Sequence, residues 1–155
     1  MIFTSYPKIS FIKNKKEIFN KISSIINKGN YINSNEVHKF EERFSKFIGL
    51  KYAASVGNAT DAIFLSLKSL NISRGDNVVT VSHTATATIT AIMRTGAKPV
   101  FVDINEDDFN LDTSKLEKKI NSKTKAIIAV HLYGQSCDLK KLIKIANSFK
   151  IPLIE

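Results

Sequence analysis

Apolar residues along the chain follow two spacings, one typical of buried strands and one typical of helices. Short apolar runs predict five strands, at residues 52–56, 77–81, 98–102, 126–130 and 151–154, and the run at 77–81 is rich in β-branched residues. Apolar residues three or four positions apart predict helices that begin at Ala59, span 85–95, follow Asp112 or Thr113, and span 139–149. Strands that alternate with helices predict right-handed βαβ units and a mostly parallel sheet.

The first part of the chain shows helical spacing without strand-like runs. Residues 1–12 are predicted to be irregular, because proline breaks helices and Pro7 lies among them. An amphipathic helix is predicted over residues 14–28 and is ended by Gly29.

A second helix is predicted to follow Ser34 or Asn35 and to end at Gly49. One apolar stripe runs along it, formed by Val37, Phe40, Phe44, Phe47 and Ile48. Such a stripe is typical of core or domain packing rather than of a ligand site. We therefore predict a helical arm over residues 1–49 and an α/β domain over residues 50–155.

Length and composition are those of an ordinary globular domain. The chain has 155 residues, enough to bury a core, and its hydrophobic fraction is 43%. No apolar run is long enough to span a membrane, and the first residues lack the pattern of a signal peptide. The single cysteine, Cys137, fits a reducing cytoplasm and is expected to be inert. The prediction is a cytoplasmic protein with no membrane partner.

The chain is basic, with a net charge of +9. Residues 1–51 hold ten Lys and Arg against four Asp and Glu. A basic arm can bind nucleic acid or other phosphates, but these lysines are interspersed with Ile, Asn and Phe rather than grouped in one tract. The pattern favours a solvated basic face and no nucleic-acid partner.

Three polar segments follow predicted strands: residues 57–60, 82–84 and 131–135. The carboxyl ends of parallel strands meet at one edge of a sheet, and ligands of such sheets bind outside that edge. The sequence therefore predicts a ligand site formed by these segments.

The first of these segments is a candidate anion site. Gly57 and Asn58 turn the chain into the helix that begins at Ala59. The free N–H groups and the dipole of a helix N-terminus attract anions, and Thr60 adds a hydroxyl donor. A plain strand–helix turn with an Asn or Thr cap explains the same residues, and both interpretations stay open.

Two nucleotide-binding signatures and a metal site find no support in the sequence. Neither G-x-G-x-x-G nor G-x-x-x-x-G-K-[ST] occurs. His38, His83 and His131 lie on different predicted elements, without metal-ligand spacing. His38 is expected on a helix surface and His131 as a hydrogen-bonded group at a strand end. For His83 a ligand-binding role and a purely structural role are equally favoured, because it lies at the predicted ligand-binding edge of the sheet.

Four segments, in this order and spacing, resemble one enzyme family. They are residues 57–62 (GNATDA), 99–104 (PVFVDI), 124–135 (TKAIIAVHLYGQ) and 152–155 (PLIE). Together they resemble the DegT/StrS-type sugar aminotransferases, fold-type I enzymes that depend on pyridoxal 5′-phosphate (PLP). The resemblance runs from about Ser10 to Glu155. It implies a three-layer α/β/α arrangement with a mostly parallel sheet, the N-terminal part of that family's large domain.

The resemblance implies that Asn58, Ala59 and Thr60 hold the PLP phosphate, in agreement with the anion site. Family members commonly have Gly at the position of Ala59 and an aromatic residue at the position of Ala85. Here the flat imidazole of His83 would lie near or over the cofactor ring instead, and a disordered or absent stacking partner is the alternative. The His-Thr-Ala sequence at this point resembles the branch that acts on 3-keto sugars.

Two residues of the family's chemistry have no match in the chain. The family has an Asp, which pairs with the pyridine nitrogen, directly after the segment matched by residues 152–155, and a Schiff-base lysine further on. Both positions fall beyond Glu155. We therefore nominate no catalytic residue and expect the chain to be the N-terminal fragment of such an enzyme, inactive alone.

For the intact enzyme the resemblance implies transamination of a nucleotide-diphosphate keto sugar, with glutamate as amino donor. It also implies a homodimer, because the family's active sites lie between two subunits. Two alternatives stay open: a non-catalytic fragment or pseudoenzyme of the same fold, and a PLP-dependent sugar dehydratase relative.

Overall fold

The computed structural model describes residues 5–155, which divide into two compact units. One unit reaches to Ser55, and the other is Val56–Glu155. None of the helices in the described residues is long and apolar enough to cross a membrane. The predicted division into residues 1–49 and 50–155 stays a prediction.

The first unit contains two helices, α1 (Pro7–Lys28) and α2 (Asn35–Phe47). Pro7 begins α1. Proline is favourable at the first position of a helix, because an N–H at that position has no acceptor within the helix. The prediction that residues 1–12 are irregular is therefore wrong from Pro7 onward, and residues 1–4 lie outside the described residues. Gly29 ends α1 in the left-handed conformation, with φ of 67°.

The aromatic stripe of α2 is not buried. Phe40 is 60% exposed and Phe47 is 86% exposed, whereas the buried residue of this helix is Ser45. Phe40 and Phe44 stack on each other, with ring centroids 5.7 Å apart. The stripe therefore does not pack into a core within the described residues, and its packing against another domain stays a prediction.

Residues 52–56, predicted as the first strand, form no strand. The backbone N–H of Ser55 donates to Oε1 of Glu41, at 2.6 Å, instead of to a neighbouring strand. This hydrogen bond is the main reason that the pKa of Glu41 lies below its ordinary value. A strand needs a neighbour for its N–H and C=O groups, and no described segment supplies one here.

The second unit is built on a four-stranded parallel sheet. Its strands are β1 (Asn77–Val81), β2 (Lys98–Val102), β3 (Thr124–Ile128) and β4 (Leu153–Ile154), in the order β2–β1–β3–β4. Every neighbouring pair is parallel. β1 and β2 lie where the sequence predicts them, β3 is shifted toward the N-terminus, and β4 keeps the last part of the predicted strand. The predicted α/β class with a parallel sheet is confirmed.

Helices cover both faces of this sheet. They are α3 (Ala59–Ser69), α4 (Thr86–Arg94), α5 (Thr113–Leu116) and α6 (Leu139–Phe149). Consecutive residues of β1 enter different cores: Val78 packs with Leu67 and Ile92, and Val79 packs with Leu116 and Leu142. The strands are apolar on both faces because helices bury both, which gives three layers, α/β/α.

The strand order creates a crevice between β1 and β3. The chain leaves β1 through α4 toward β2 on one side, and leaves β3 through α6 toward β4 on the other. The loops that follow β1 and β3 therefore diverge, and ligands of parallel sheets bind at such a point. The hydroxyl of Thr80 donates to the carbonyl of Ile128 across these two strands, at 3.2 Å.

Candidate functional site

The turn before α3 is held by two side chains that bond to each other. Asn58 caps the helix, and its Oδ1 accepts a hydrogen bond from the N–H of Asp61 at 2.9 Å. Its Nδ2 donates in return to Oδ2 of Asp61, also at 2.9 Å. A reciprocal cap of this kind fixes where the helix begins.

The cap leaves two backbone donors free. Ala59 and Thr60 are the first two residues of α3, so their N–H groups have no acceptor within the helix. The side chain of Asn58 accepts a hydrogen bond from the N–H of Asp61, and it does not bond to the N–H groups of Ala59 and Thr60. Two N–H groups, the helix dipole and the Thr60 hydroxyl together suit a phosphate group chemically.

A carboxylate lies beside these donors. Oδ1 of Asp61 accepts a hydrogen bond from Nη1 of Arg94 at 2.7 Å, and the Arg94 guanidinium lies over the ring of Phe64, 4.4 Å from its centroid. The hydrogen bond from Arg94 is the first cause that holds the pKa of Asp61 below its ordinary value. Asp61 is therefore ionised at neutral pH and paired with a cation.

A pocket of about 400 Å³ lies at the carboxyl ends of β1 and β3. Its lining comes from three loops: His83, Asp107, Asp108, Phe109, Leu132, Tyr133 and Gln135. The structure thus brings together two of the three predicted segments, residues 82–84 and residues 131–135. Asn58, Ala59 and Thr60 do not line this pocket.

His83 is exposed, and its side chain has no hydrogen-bond partner within residues 5–155. It follows β1 closely, at the crevice where the strand order reverses. A flat ring without partners at this place is free to lie against a ligand, as the sequence interpretation of His83 requires.

The loop after β2 contributes pocket residues that the sequence interpretation missed. Asp107, Asp108 and Phe109 belong to it. One signal was available, because this loop also follows the carboxyl end of a strand in the same sheet. A second feature is visible in the structure alone: Phe109 and Tyr133 both have positive φ, 57° and 56°. Positive φ is strained for residues with bulky side chains and clusters at functional sites.

His131 and Cys137 are fixed within the structure rather than directed into the pocket. Nδ1 of His131 accepts a hydrogen bond from the N–H of Cys137 at 3.1 Å, as expected for a satisfied group at a strand end. The Cys137 thiol is buried and donates to the carbonyl of Val130 at 3.2 Å. Burial raises the pKa of this thiol, which keeps it protonated and unreactive.

Solved structures show the class of fold. DesV from S. venezuelae superposes with a TM-score of 0.92 at 32% identity, over 96% of this chain and 40% of that one. NtdA from Bacillus subtilis, solved with its cofactor PMP bound, gives a TM-score of 0.88 at 30% identity, over 91% of this chain and 32% of that one. The fold is that of the fold-type I PLP-dependent aminotransferases, as the sequence resemblance implied.

The chain belongs to the DegT/DnrJ/EryC1/StrS aminotransferase family, which it matches over residues 13–155. It is 41% identical over 141 residues to the dTDP-3-amino-3,6-dideoxy-alpha-D-galactopyranose transaminase of Aneurinibacillus thermoaerophilus. That alignment covers 91% of this chain and 39% of the relative. The chain thus spans about two fifths of the length of this curated relative.

Proposed function

We propose that this chain is part of a PLP-dependent aminotransferase that acts on nucleotide-linked keto sugars in the cytoplasm, with glutamate as amino donor. The match of residues 13–155 to an aminotransferase family carries the proposal. The name of the A. thermoaerophilus relative supports a nucleotide-linked sugar that is aminated at carbon 3. The His83-Thr84-Ala85 sequence supports the same 3-keto class.

The described residues fit the phosphate end of the cofactor. The N–H groups of Ala59 and Thr60 and the hydroxyl of Thr60 would bind the phosphate oxygens, while Asn58 keeps the turn in place through Asp61. The chemistry that PLP supplies when bound is an electron sink for amino-group transfer. No lysine of this chain is assigned a role in that transfer.

His83 is the residue we assign to the face of the cofactor ring. Its imidazole is exposed and free of hydrogen-bond partners in the described chain, so it can stack without losing an interaction. A stacked ring orients the cofactor and excludes water from that face.

We also propose a homodimer, for which the exposed rings of Phe40 and Phe47 supply apolar surface.

Pyridoxine 5′-phosphate tests the phosphate site, because it lacks the aldehyde that would react with surface lysines. We expect calorimetric titration of the chain to show binding about tenfold or more tighter than that of pyridoxine, which lacks the phosphate. Ala59→Pro removes one N–H donor at a position where proline suits the helix, and weakens this binding. Thr113→Pro, at the first position of α5, is the matched control and leaves binding unchanged.

The assignment of no lysine has its own test. PLP is added to the chain, reduced with borohydride, and the modified peptides are mapped by mass spectrometry. We expect scattered, substoichiometric labelling of surface lysines. A stoichiometric adduct at one lysine contradicts that expectation.

For the enzymatic proposal, the intact enzyme is assayed for amino transfer from glutamate to a dTDP-linked 3-keto sugar. The absence of transfer to any nucleotide-linked keto sugar contradicts the proposal.

A further inference from the structure

The proposed phosphate site has an acid inside its first turn. Asp61 is the third residue of α3, directly after the two free donors. A Cβ atom placed on Gly57 would lie 3.8 Å from Oδ2 of Asp61, so the carboxylate lies beside the turn itself. An ionised acid here repels a phosphate dianion.

The structure engages both oxygens of this acid through side chains. Oδ2 accepts from Nδ2 of Asn58, and Oδ1 accepts from Nη1 of Arg94. In a usual capping box the acid at this position accepts a hydrogen bond from the backbone N–H of the N-cap residue, which here is Asn58. Here the two side-chain donors hold the carboxylate, and the N–H groups of Ala59 and Thr60 are left for a ligand.

Arg94 is itself held in place. It lies in the last turn of α4, on the helix that packs against α3, and its guanidinium lies over the ring of Phe64. A planar guanidinium over an aromatic ring is oriented as well as attracted. The cation is thus supplied from a neighbouring helix rather than from the turn.

We propose that Arg94 is a positioning residue for the phosphate site: it neutralises Asp61 and fixes this carboxylate beside the turn. The inference rests on the proposed function, because it needs the anion at Ala59 and Thr60. Arg94 acts through Asp61, and its Nη1 is directed to that carboxylate.

This indirect role predicts a specific pattern in a double-mutant cycle. Pyridoxine 5′-phosphate is titrated against the wild-type chain, Arg94→Met, Asp61→Asn and the double variant. We expect Arg94→Met to bind roughly three- to tenfold more weakly, as suits an uncompensated charge close to a dianion at a partly exposed site. Asp61→Asn keeps an amide oxygen for Asn58 and binds as tightly as wild type or tighter. The double variant returns to near the wild-type affinity.

Two controls separate charge from structure. Arg74→Met removes an exposed arginine from the turn before β1 and leaves binding unchanged. Raising the salt concentration to about 1 M shrinks the loss caused by Arg94→Met, because salt screens an uncompensated charge. Circular dichroism shows whether each variant is folded. If Arg94→Met does not fold, the affinity of Asp61→Asn still tests the inference.

Three results overturn the inference. Arg94→Met binding as tightly as wild type shows that Asp61 needs no neutralisation. A double variant as weak as Arg94→Met shows that Arg94 acts on the phosphate directly or on the fold. Weaker binding by Asp61→Asn shows that the acid supports the site. If the wild-type chain binds pyridoxine 5′-phosphate no better than pyridoxine, the phosphate site fails, and with it the proposed function of the turn.

Discussion

Nε2 of His131 lies 3.1 Å from Oε2 of Glu155, and the two residues follow the neighbouring strands β3 and β4. Nδ1 of the same ring accepts a hydrogen bond from the N–H of Cys137. Because Nδ1 is an acceptor, the proton of a neutral imidazole is on Nε2, which donates to Glu155. One ring therefore joins the loop after β3 to the end of β4.

His131→Ala removes the acceptor of the Cys137 N–H, and a buried backbone donor without a partner is costly. We expect a loss of about 1–3 kcal/mol in the free energy of unfolding, measured with urea. Glu155→Gln keeps an acceptor for Nε2 on an exposed side chain and changes stability by less than about 0.5 kcal/mol. Equal losses in the two variants contradict this account.

His83→Ala is expected to weaken the binding of pyridoxine 5′-phosphate, while His83→Phe retains it, because the proposed contact is a stacked ring. The expected loss is roughly two- to tenfold, the size of an aromatic stacking contribution. The measurement is the same calorimetric titration, and His38→Ala, on the exposed surface of α2, is the control. A loss in His83→Phe as large as in His83→Ala argues against stacking.

Tyr133→Gly is expected to stabilise the chain, because glycine adopts φ of 56° without strain. The side chain of Tyr133 is 94% exposed, so its removal costs little packing. We expect a gain of up to about 1 kcal/mol in thermal or urea unfolding. Tyr133→Ala removes the same ring and keeps the strain, and a gain of equal size in that variant would point to the ring instead.

Asp138 predicts a pH-dependent contribution to stability. It caps α6 by accepting from the N–H of Lys141 at 3.1 Å and pairs with its ammonium group at 2.9 Å. The hydrogen bond from the Lys141 side chain is the first cause that lowers the pKa of Asp138 below its ordinary value. The stabilisation by the ionised acid is therefore complete above the unfolded-state pKa, near pH 4, and is lost as pH falls through the lower folded-state pKa.

Comparison of the wild type with Asp138→Asn isolates this contribution, because Asn also caps helices and other acids titrate equally in both chains. The stability difference between the two is expected to be constant from about pH 5 to 7 and to shrink below about pH 4. Urea midpoints measured at several pH values give the difference. A stability difference that stays constant as the pH falls well below about 4 contradicts the lowered pKa of Asp138.

Leu142→Ala is expected to destabilise the second unit by about 2–5 kcal/mol, because Leu142 is fully buried between α6 and the sheet. Leu65→Ala provides the control, since this leucine of α3 is 49% exposed and its truncation costs little. Urea unfolding measures both. Similar losses would show that the helix packs differently from the arrangement described.

The parallel sheet could be predicted because its strands are marked locally, by β-branched runs such as 77–81 with apolar residues on both faces. The apolar run at residues 52–56 forms no strand, because pairing depends on a neighbour that the local sequence does not specify. Pro7 shows a different limit: proline begins a helix or breaks it according to its position, and the first turn of α1 allows it.

The location of the candidate site, at the carboxyl edge of the sheet, could be predicted from the sequence. The side-chain contacts within it could not. His83 and residues 131–135 meet there because both follow neighbouring strands. Arg94 could not be found this way, because its contact with Asp61 joins two helices through side chains far apart in sequence. The positive φ of Phe109 is likewise a property of the folded loop, because the residue itself is neither glycine nor asparagine.

Within the described chain β2 is an outer strand of the sheet, and it starts with Lys98 and Pro99. Proline offers no N–H to an incoming strand, and lysine places a charge where such a strand would pair. A strand of another chain therefore pairs poorly with β2, which disfavours aggregation at this edge of the sheet. A Lys98→Val, Pro99→Val variant would expose a continuous apolar border and make this edge prone to aggregation.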